Sequence, residues 1–189
     1  MMIKKRMRYI ESHIELMKLI LDVSRSAMGA WRLGRRNRIS RPFSEKIMLA
    51  VTGVNECAYC SYLHSQTALE GGVSTAEIQR LLEGELGDFP EEEAVGLMYA
   101  QHWADTKGKV SDEVRKNVVA CYGEKRTGYI ELFIKMVYMG NVCSNTVYAF
   151  ENGMMPKSSK ARLFLIYLVS KPVAVYINRS AARLERSAA

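Results

Sequence analysis

The chain has 189 residues, 48% of them hydrophobic, and a formal net charge of +7. That is enough apolar material for one substantial core. Its longest strongly apolar run, Leu163 to Val169, falls far short of the roughly 18 residues that a spanning helix needs, so no transmembrane segment is expected. Four cysteines (Cys57, Cys60, Cys121, Cys143) are too few and too unevenly spaced for a secreted disulfide scaffold, and the charged start MMIKKRMR is not a secretory signal. The expected location is the cytoplasm.

The charge is unevenly placed. Residues 1–42 hold 11 Lys and Arg against 3 acids, a net +8, whereas residues 43–189 hold 16 against 17, a net −1. The expected division is a basic N-terminal helical arm over 1–42 and a single helical core domain over 43–189. Such an arm could meet nucleic acid, an anionic membrane surface or an acidic partner, but no nucleic-acid motif accompanies it, and a solvated basic face is the preferred reading.

No stretch alternates apolar and polar residues as a half-buried strand would, so the fold class is all-α: a compact multi-helix bundle. In the first helix Ile10, Ile14, Met17, Leu21 and Met28 form an apolar stripe that must pack on the core or on another subunit. Trp31 to Arg41 is basic and contains Gly34, which predicts a loop. Ser44 can cap a helix from Glu45 to about Val54, with Glu45 in its first turn. The next helix holds Cys57 to about Glu70 and stops at Gly71 and Gly72.

Ser74 and Glu77 form a capping box for a short helix ending at Gly84. Pro90 followed by Glu91, Glu92 and Glu93 starts another, with Gly108 as its stop. Ser111 opens a helix that ends near Gly123, and Thr127 to Glu151 follows, with Gly140 a potential break. Ser158 to Asn178 should form the last major helix, kinked or ended near Pro172.

The stretch NECAYCSYLH, Asn55 to His64, carries the chemistry. At about 100° per residue, Cys57, Cys60 and His64 fall within one stripe of a helix, and a thiol near a helix start is stabilised as the thiolate by unpaired amides and the dipole. His64, four residues after Cys60, can take its proton. Three uses stand open on these residues alone: a redox dithiol; a zinc site, which lacks a second ligand pair; and apolar packing of sulfur among polar neighbours. No metal or cofactor is expected.

The run from Ser44 to Leu82, SEKIMLAVTGVNECAYCSYLHSQTALEGGVSTAEIQRLL, resembles the alkylhydroperoxidase-D-like branch of the carboxymuconolactone decarboxylase family. A Glu opens one helix, Cys-x-x-Cys-x-x-x-His the next, and a Gly precedes a short capped helix. The likeness continues loosely to the Asn-containing GNVCSNTVYAF, Gly140 to Phe150. The resemblance implies an all-helical homo-oligomer, a trimer or a larger ring such as a hexamer. It implies peroxidase or thiol–disulfide activity on a hydroperoxide or disulfide substrate, with a dithiol reductant such as a lipoyl domain or a thioredoxin-like protein.

Carried over by position, Cys60 would attack peroxide, Cys57 would resolve the sulfenic acid by closing a Cys57–Cys60 disulfide, and Glu45 would accept the Cys60 proton through His64 and a water. Tyr59 stands where the best-studied type of this family has a second His, and reads as a packing residue.

His13 and His102 lack ligand-spaced partners and read as structural or surface residues, and Cys121 and Cys143 as buried fillers. Met136 and Met139 read as core or subunit-contact packing rather than as a cofactor box. Asn141 and Asn145 share one helix face and suit buried hydrogen bonding. Arg32, Arg35, Arg36, Arg38 and Arg41 could attract an acidic redox partner. Two other function classes compete: decarboxylation of a lactone acid, which needs no dithiol, and a non-catalytic module that binds a polyanion through the arm.

Overall fold

The structure is a computed structural model that describes residues 7–33, 39–154 and 160–188. Among these residues there are seven α-helices and no strand: α1 (His13–Leu33), α2 (Arg41–Asn55), α3 (Ala58–Glu70), α4 (Thr75–Glu83), α5 (Glu91–Asp105), α6 (Asp112–Glu151) and α7 (Lys160–Ala188). The fold is all-α, as expected. No helix of the described residues is long and apolar enough to cross a membrane.

Helices α2 and α6 lie at the centre. α2 packs on α3, α4, α5 and α6, and α6 also carries α1, α5 and α7 on its flanks. Ile47, Leu49 and Val51 of α2, Leu97 of α5, and Ile130 and Ile134 of α6 are completely buried at these contacts. Gly53 permits the close approach of α4, since a Cβ there would lie 2.5 Å from the Leu82 carbonyl oxygen.

The helix starts follow local chemistry, with one correction. Ser40, not Ser44, caps α2: its hydroxyl accepts the Phe43 amide, and Pro42 occupies the first turn, where a missing N–H removes no helix bond. Ser44 is buried one turn further in and donates to the Arg41 carbonyl. Glu45 therefore lies beyond the first turn. The Ser74–Glu77 capping box and the Ser111 cap form as expected.

Gly123, at φ 74° and ψ 156°, breaks α6 near the expected point, whereas the helix runs unbroken through Gly140. α7 passes Pro172 and continues to Ala188, beyond the expected end at Asn178; its expected start at Ser158 lies outside the described residues.

α1 buries a different stripe from the expected one. Ile10, just before the helix, is buried as expected, but within α1 it is Leu16 and Leu19 that enter the core, while Ile14, Met17, Leu21 and Met28 are 57%, 56%, 46% and 57% exposed. The helix has apolar residues on both sides, and periodicity alone does not choose between them.

Two polar contacts fix the central helices. Lys46 of α2 places its Nζ 2.7 Å from Glu77 of α4 and 2.8 Å from Glu93 of α5. Burial works against the Lys46 charge, but hydrogen bonds to the two carboxylates outweigh it and raise its pKa; the same Lys46 bond, with those from Ser74, lowers Glu77 to about 2. On the other side of α2, Asn141 Nδ2 donates to Thr52 Oγ1 at 3.2 Å. Asn145 Nδ2 donates to the Asn55 carbonyl at 2.8 Å and to the Arg8 carbonyl at 2.9 Å.

Asn145→Ala leaves two carbonyls without that donor, one of them at the buried end of α2. The expected loss is about 2–4 kcal/mol of stability, read in urea as a lower midpoint at unchanged slope. A loss below about 0.5 kcal/mol, the range of a neutral surface change, would contradict the role given to this side chain.

Candidate functional site

The site begins with a reversal of the chain. α2 ends at Asn55, and Glu56 takes the left-handed conformation, φ 51° and ψ 51°, its N–H bonding the Thr52 carbonyl. A side chain in that region costs on the order of 1 kcal/mol, offset here because the turn satisfies an open carbonyl at the helix end. Cys57 follows with extended backbone, φ −94° and ψ 101°, as the N-cap of α3. This corrects the expectation that Cys57 lies on the helix.

Capping brings the two sulfurs together. An N-cap side chain folds back over the third helical residue to accept its amide. Cys57 Sγ accepts the Cys60 N–H at 3.3 Å, and Cys60 is that third residue. The two Cα atoms lie 5.3 Å apart and the cysteines are joined as a disulfide.

Glu45 of α2 and His64 of α3 meet beside this turn, His64 Nδ1 lying 3.0 Å from Glu45 Oε2. The Glu45 and His64 side chains are only 8% and 17% exposed. A carboxylate at Nδ1 favours the tautomer with its N–H there, which leaves Nε2 as the basic nitrogen. His64 sits on α3 four residues beyond Cys60, one turn along the same face.

A third element covers the cysteines. Cys57 and Cys60, 0% and 2% exposed, form an apolar cluster with Leu63 of α3 and with Val173 and Ile177 of α7. α7 thus roofs the disulfide. Asn55, two residues before Cys57, is also completely buried, and its carboxamide has no hydrogen-bond partner among the described residues. Neither Asn55 nor the two α7 residues were singled out from sequence. The α7 contacts join positions more than a hundred apart, and nothing local encodes them; the polar Asn among apolar α2 residues was the one available signal.

The other candidates lie elsewhere. Tyr59, expected to pack, is 44% exposed, because the second helical residue of α3 points away from the roof. Cys143 is buried, and burial pushes its thiol up to about 11. Cys121, expected to be buried, is exposed. His13 and His102 are exposed, Met139 packs on the core and Met136 is largely exposed. Of the basic cluster, Arg35, Arg36 and Arg38 and the side chain of Arg32 lie outside the described residues, and Arg41 is paired with Glu70 at 3.2 Å.

Among the described residues no group of three or more His, Cys, Asp or Glu could hold a metal ion. A cleft of about 460 Å³ between α1, α5 and α6, lined in part by Glu15, Lys18, Trp103 and Tyr138, does not include the cysteines.

Residues 20–91 match the model of the carboxymuconolactone decarboxylase family. The matched stretch runs from within α1 to the first residue of α5 and holds Glu45, Cys57, Cys60 and His64. The all-α fold and the Cys-x-x-Cys pair are consistent with that family and with its alkylhydroperoxidase-D-like branch. No curated protein and no solved structure matches the chain. α6 and the roof helix α7 lie outside the matched stretch.

The roof generates a prediction. Ile177→Ala removes packing over the disulfide, and if reduction requires local opening, its rate rises as the opening cost falls. Reduction by dithiothreitol at fixed pH, followed by thiol release, should accelerate by at least about tenfold, the equivalent of 1.4 kcal/mol. Equal rates in the wild-type protein and the variant would show that the sulfurs are reached without displacing α7.

Proposed function

We propose that this protein is a thiol-dependent peroxidase, or thiol–disulfide oxidoreductase, that turns over through the Cys57–Cys60 couple. The observation that carries the reading is the joining of the two cysteines at the N-terminus of α3, one turn from a His64 that is itself bonded to the buried Glu45. A decarboxylase acting on a lactone acid would use acid–base groups and leave this dithiol idle.

The cycle starts from the reduced pair. His64 Nε2, left free as an acceptor when Nδ1 bonds Glu45, accepts the Cys60 proton directly or through a water, and the amides of the first α3 turn stabilise the thiolate. The Cys60 thiolate attacks the terminal oxygen of a hydroperoxide. The O–O bond breaks, Cys60 becomes a sulfenic acid, and the alkoxide leaves as the alcohol after taking a proton. Cys57 attacks the Cys60 sulfur, water leaves, and the disulfide forms. Cap geometry favours this closure, since Cys57 Sγ is already held at the Cys60 amide.

An external dithiol then returns two electrons and two protons; a lipoyl domain or a thioredoxin-like protein has the chemistry required. Assembly as a homo-oligomer, a trimer or hexamer, in the cytoplasm belongs to the same reading. The half-exposed Ile14, Met17, Leu21 and Met28 of α1 support it as an apolar surface suited to a subunit contact.

Cys60→Ser should abolish peroxide consumption with dithiothreitol as reductant. Glu45→Gln, which keeps the shape but loses the charge, should slow it at least about tenfold and shift its pH dependence, within the range expected for loss of a proton acceptor. Full turnover in the Cys60 variant would overturn the assignment.

A further inference from the structure

The two faces of α7 differ in kind. Beyond Pro172, the inner face presents Val173 and Ile177 to the disulfide. On a neighbouring face, turned by roughly 120° about the helix axis, Tyr176 is 72% exposed, and Arg179, Arg183 and Arg186 are exposed at spacings of three, four and three residues, which brings all four onto one side of the helix. No ion pair among the described residues involves any of these three arginines. A shallow groove of about 230 Å³ runs along this side, lined by Pro172, Val175, Tyr176, Arg179, Ser180 and Arg183.

From these observations we infer that the outer face of α7 is the docking surface for the reductant, an acidic protein that carries a dithiol. The inference rests on the redox reading above and adds the place where the donor binds. Charge fixes the sign of the partner: three arginines without carboxylate partners among the described residues, beside an exposed tyrosine, suit a surface of Asp and Glu.

Position fixes its role. The disulfide is sealed, so a dithiol too large to diffuse through the packing must disturb the helix that seals it, and the docking face and the seal are neighbouring sides of the same turns. Pro172 lies within α7, where it lacks the N–H that would bond the Leu168 carbonyl, so the helix has one bond fewer just before Val173.

Once the sulfurs are reached, one donor thiolate attacks a sulfur of the Cys57–Cys60 bond, which breaks to release the other cysteine as a thiolate. The donor's second thiolate then attacks the donor sulfur of the mixed disulfide and releases the remaining cysteine. The donor ends as a disulfide, and Cys57 and Cys60 end as thiols with two protons taken from solvent.

The test reverses the charge of the face in the full chain, Arg179→Glu with Arg183→Glu. Neither side chain has an ion pair to lose among the described residues, and circular dichroism checks that the variant is folded. Reduction of the Cys57–Cys60 disulfide is followed with two acidic probes, a thioredoxin and a lipoylated domain, and with uncharged dithiothreitol.

The expected result is at least a tenfold slower reduction by an acidic probe, unchanged reduction by dithiothreitol, and a wild-type rate with that probe that falls with added salt. Equal rates for the variant and the wild-type protein, or no reduction of the wild-type protein by either acidic probe, would overturn the docking assignment. So would a change in sedimentation of the variant alone, which would give the face to a second copy. Binding of the wild-type protein to anionic phosphatidylserine vesicles that the charge reversal abolishes, with reduction rates unchanged, would give the face to a membrane. Failure of the redox reading is separate: dithiothreitol-reduced protein would then not re-form the disulfide with hydroperoxide.

Discussion

The thiol cap at the start of α3 is the interaction on which the rest depends. A sulfur that accepts the Cys60 amide is held over the third residue of its helix, so a Cys at the cap and a Cys three positions later meet without help from any other element. Everything before the cap serves to place it. Glu56 turns the chain in the left-handed region, and Asn145 of α6 holds the Asn55 carbonyl, so the end of α2 cannot drift from the centre of the bundle. The Glu45–His64 bond then spans from α2 to α3 across the same turn.

Much of the fold was legible because its signals are local. Capping boxes, Pro at a helix start and Gly at a helix end act within four residues, and the boundaries of α4, α5 and the first part of α6 follow from them. The same local chemistry explains the misplacement of the α2 cap: Ser40 and Ser44 are both good caps, and Pro42, which belongs in a first turn, was the residue that distinguishes them. The α1 stripe was ambiguous for a different reason, since a helix with apolar residues on two sides declares its core face only through its neighbour.

The candidate site was legible only in part. The helical wheel placed Cys57, Cys60 and His64 on one stripe, but Cys57 is off the helix, and its closeness to Cys60 comes from capping. Glu45 and His64 lie nineteen positions apart, a contact that no periodicity encodes and that only the family resemblance suggested. The α7 roof had no such pointer, because it is a packing contact between distant parts of the chain and falls outside the matched family stretch. Under the proposed redox function its consequence is chemical: the roof makes access, rather than reactivity alone, a determinant of which oxidants and reductants reach the dithiol.

The most direct measurement is a thiol count on reduced native protein before and after one equivalent of hydroperoxide, with mass spectrometry to map any new bond. The account predicts loss of two thiols into a Cys57–Cys60 disulfide, reversed by a dithiol, with Cys121 and Cys143 unchanged. Unchanged thiols, or oxidation that falls on Cys121 alone, would contradict it.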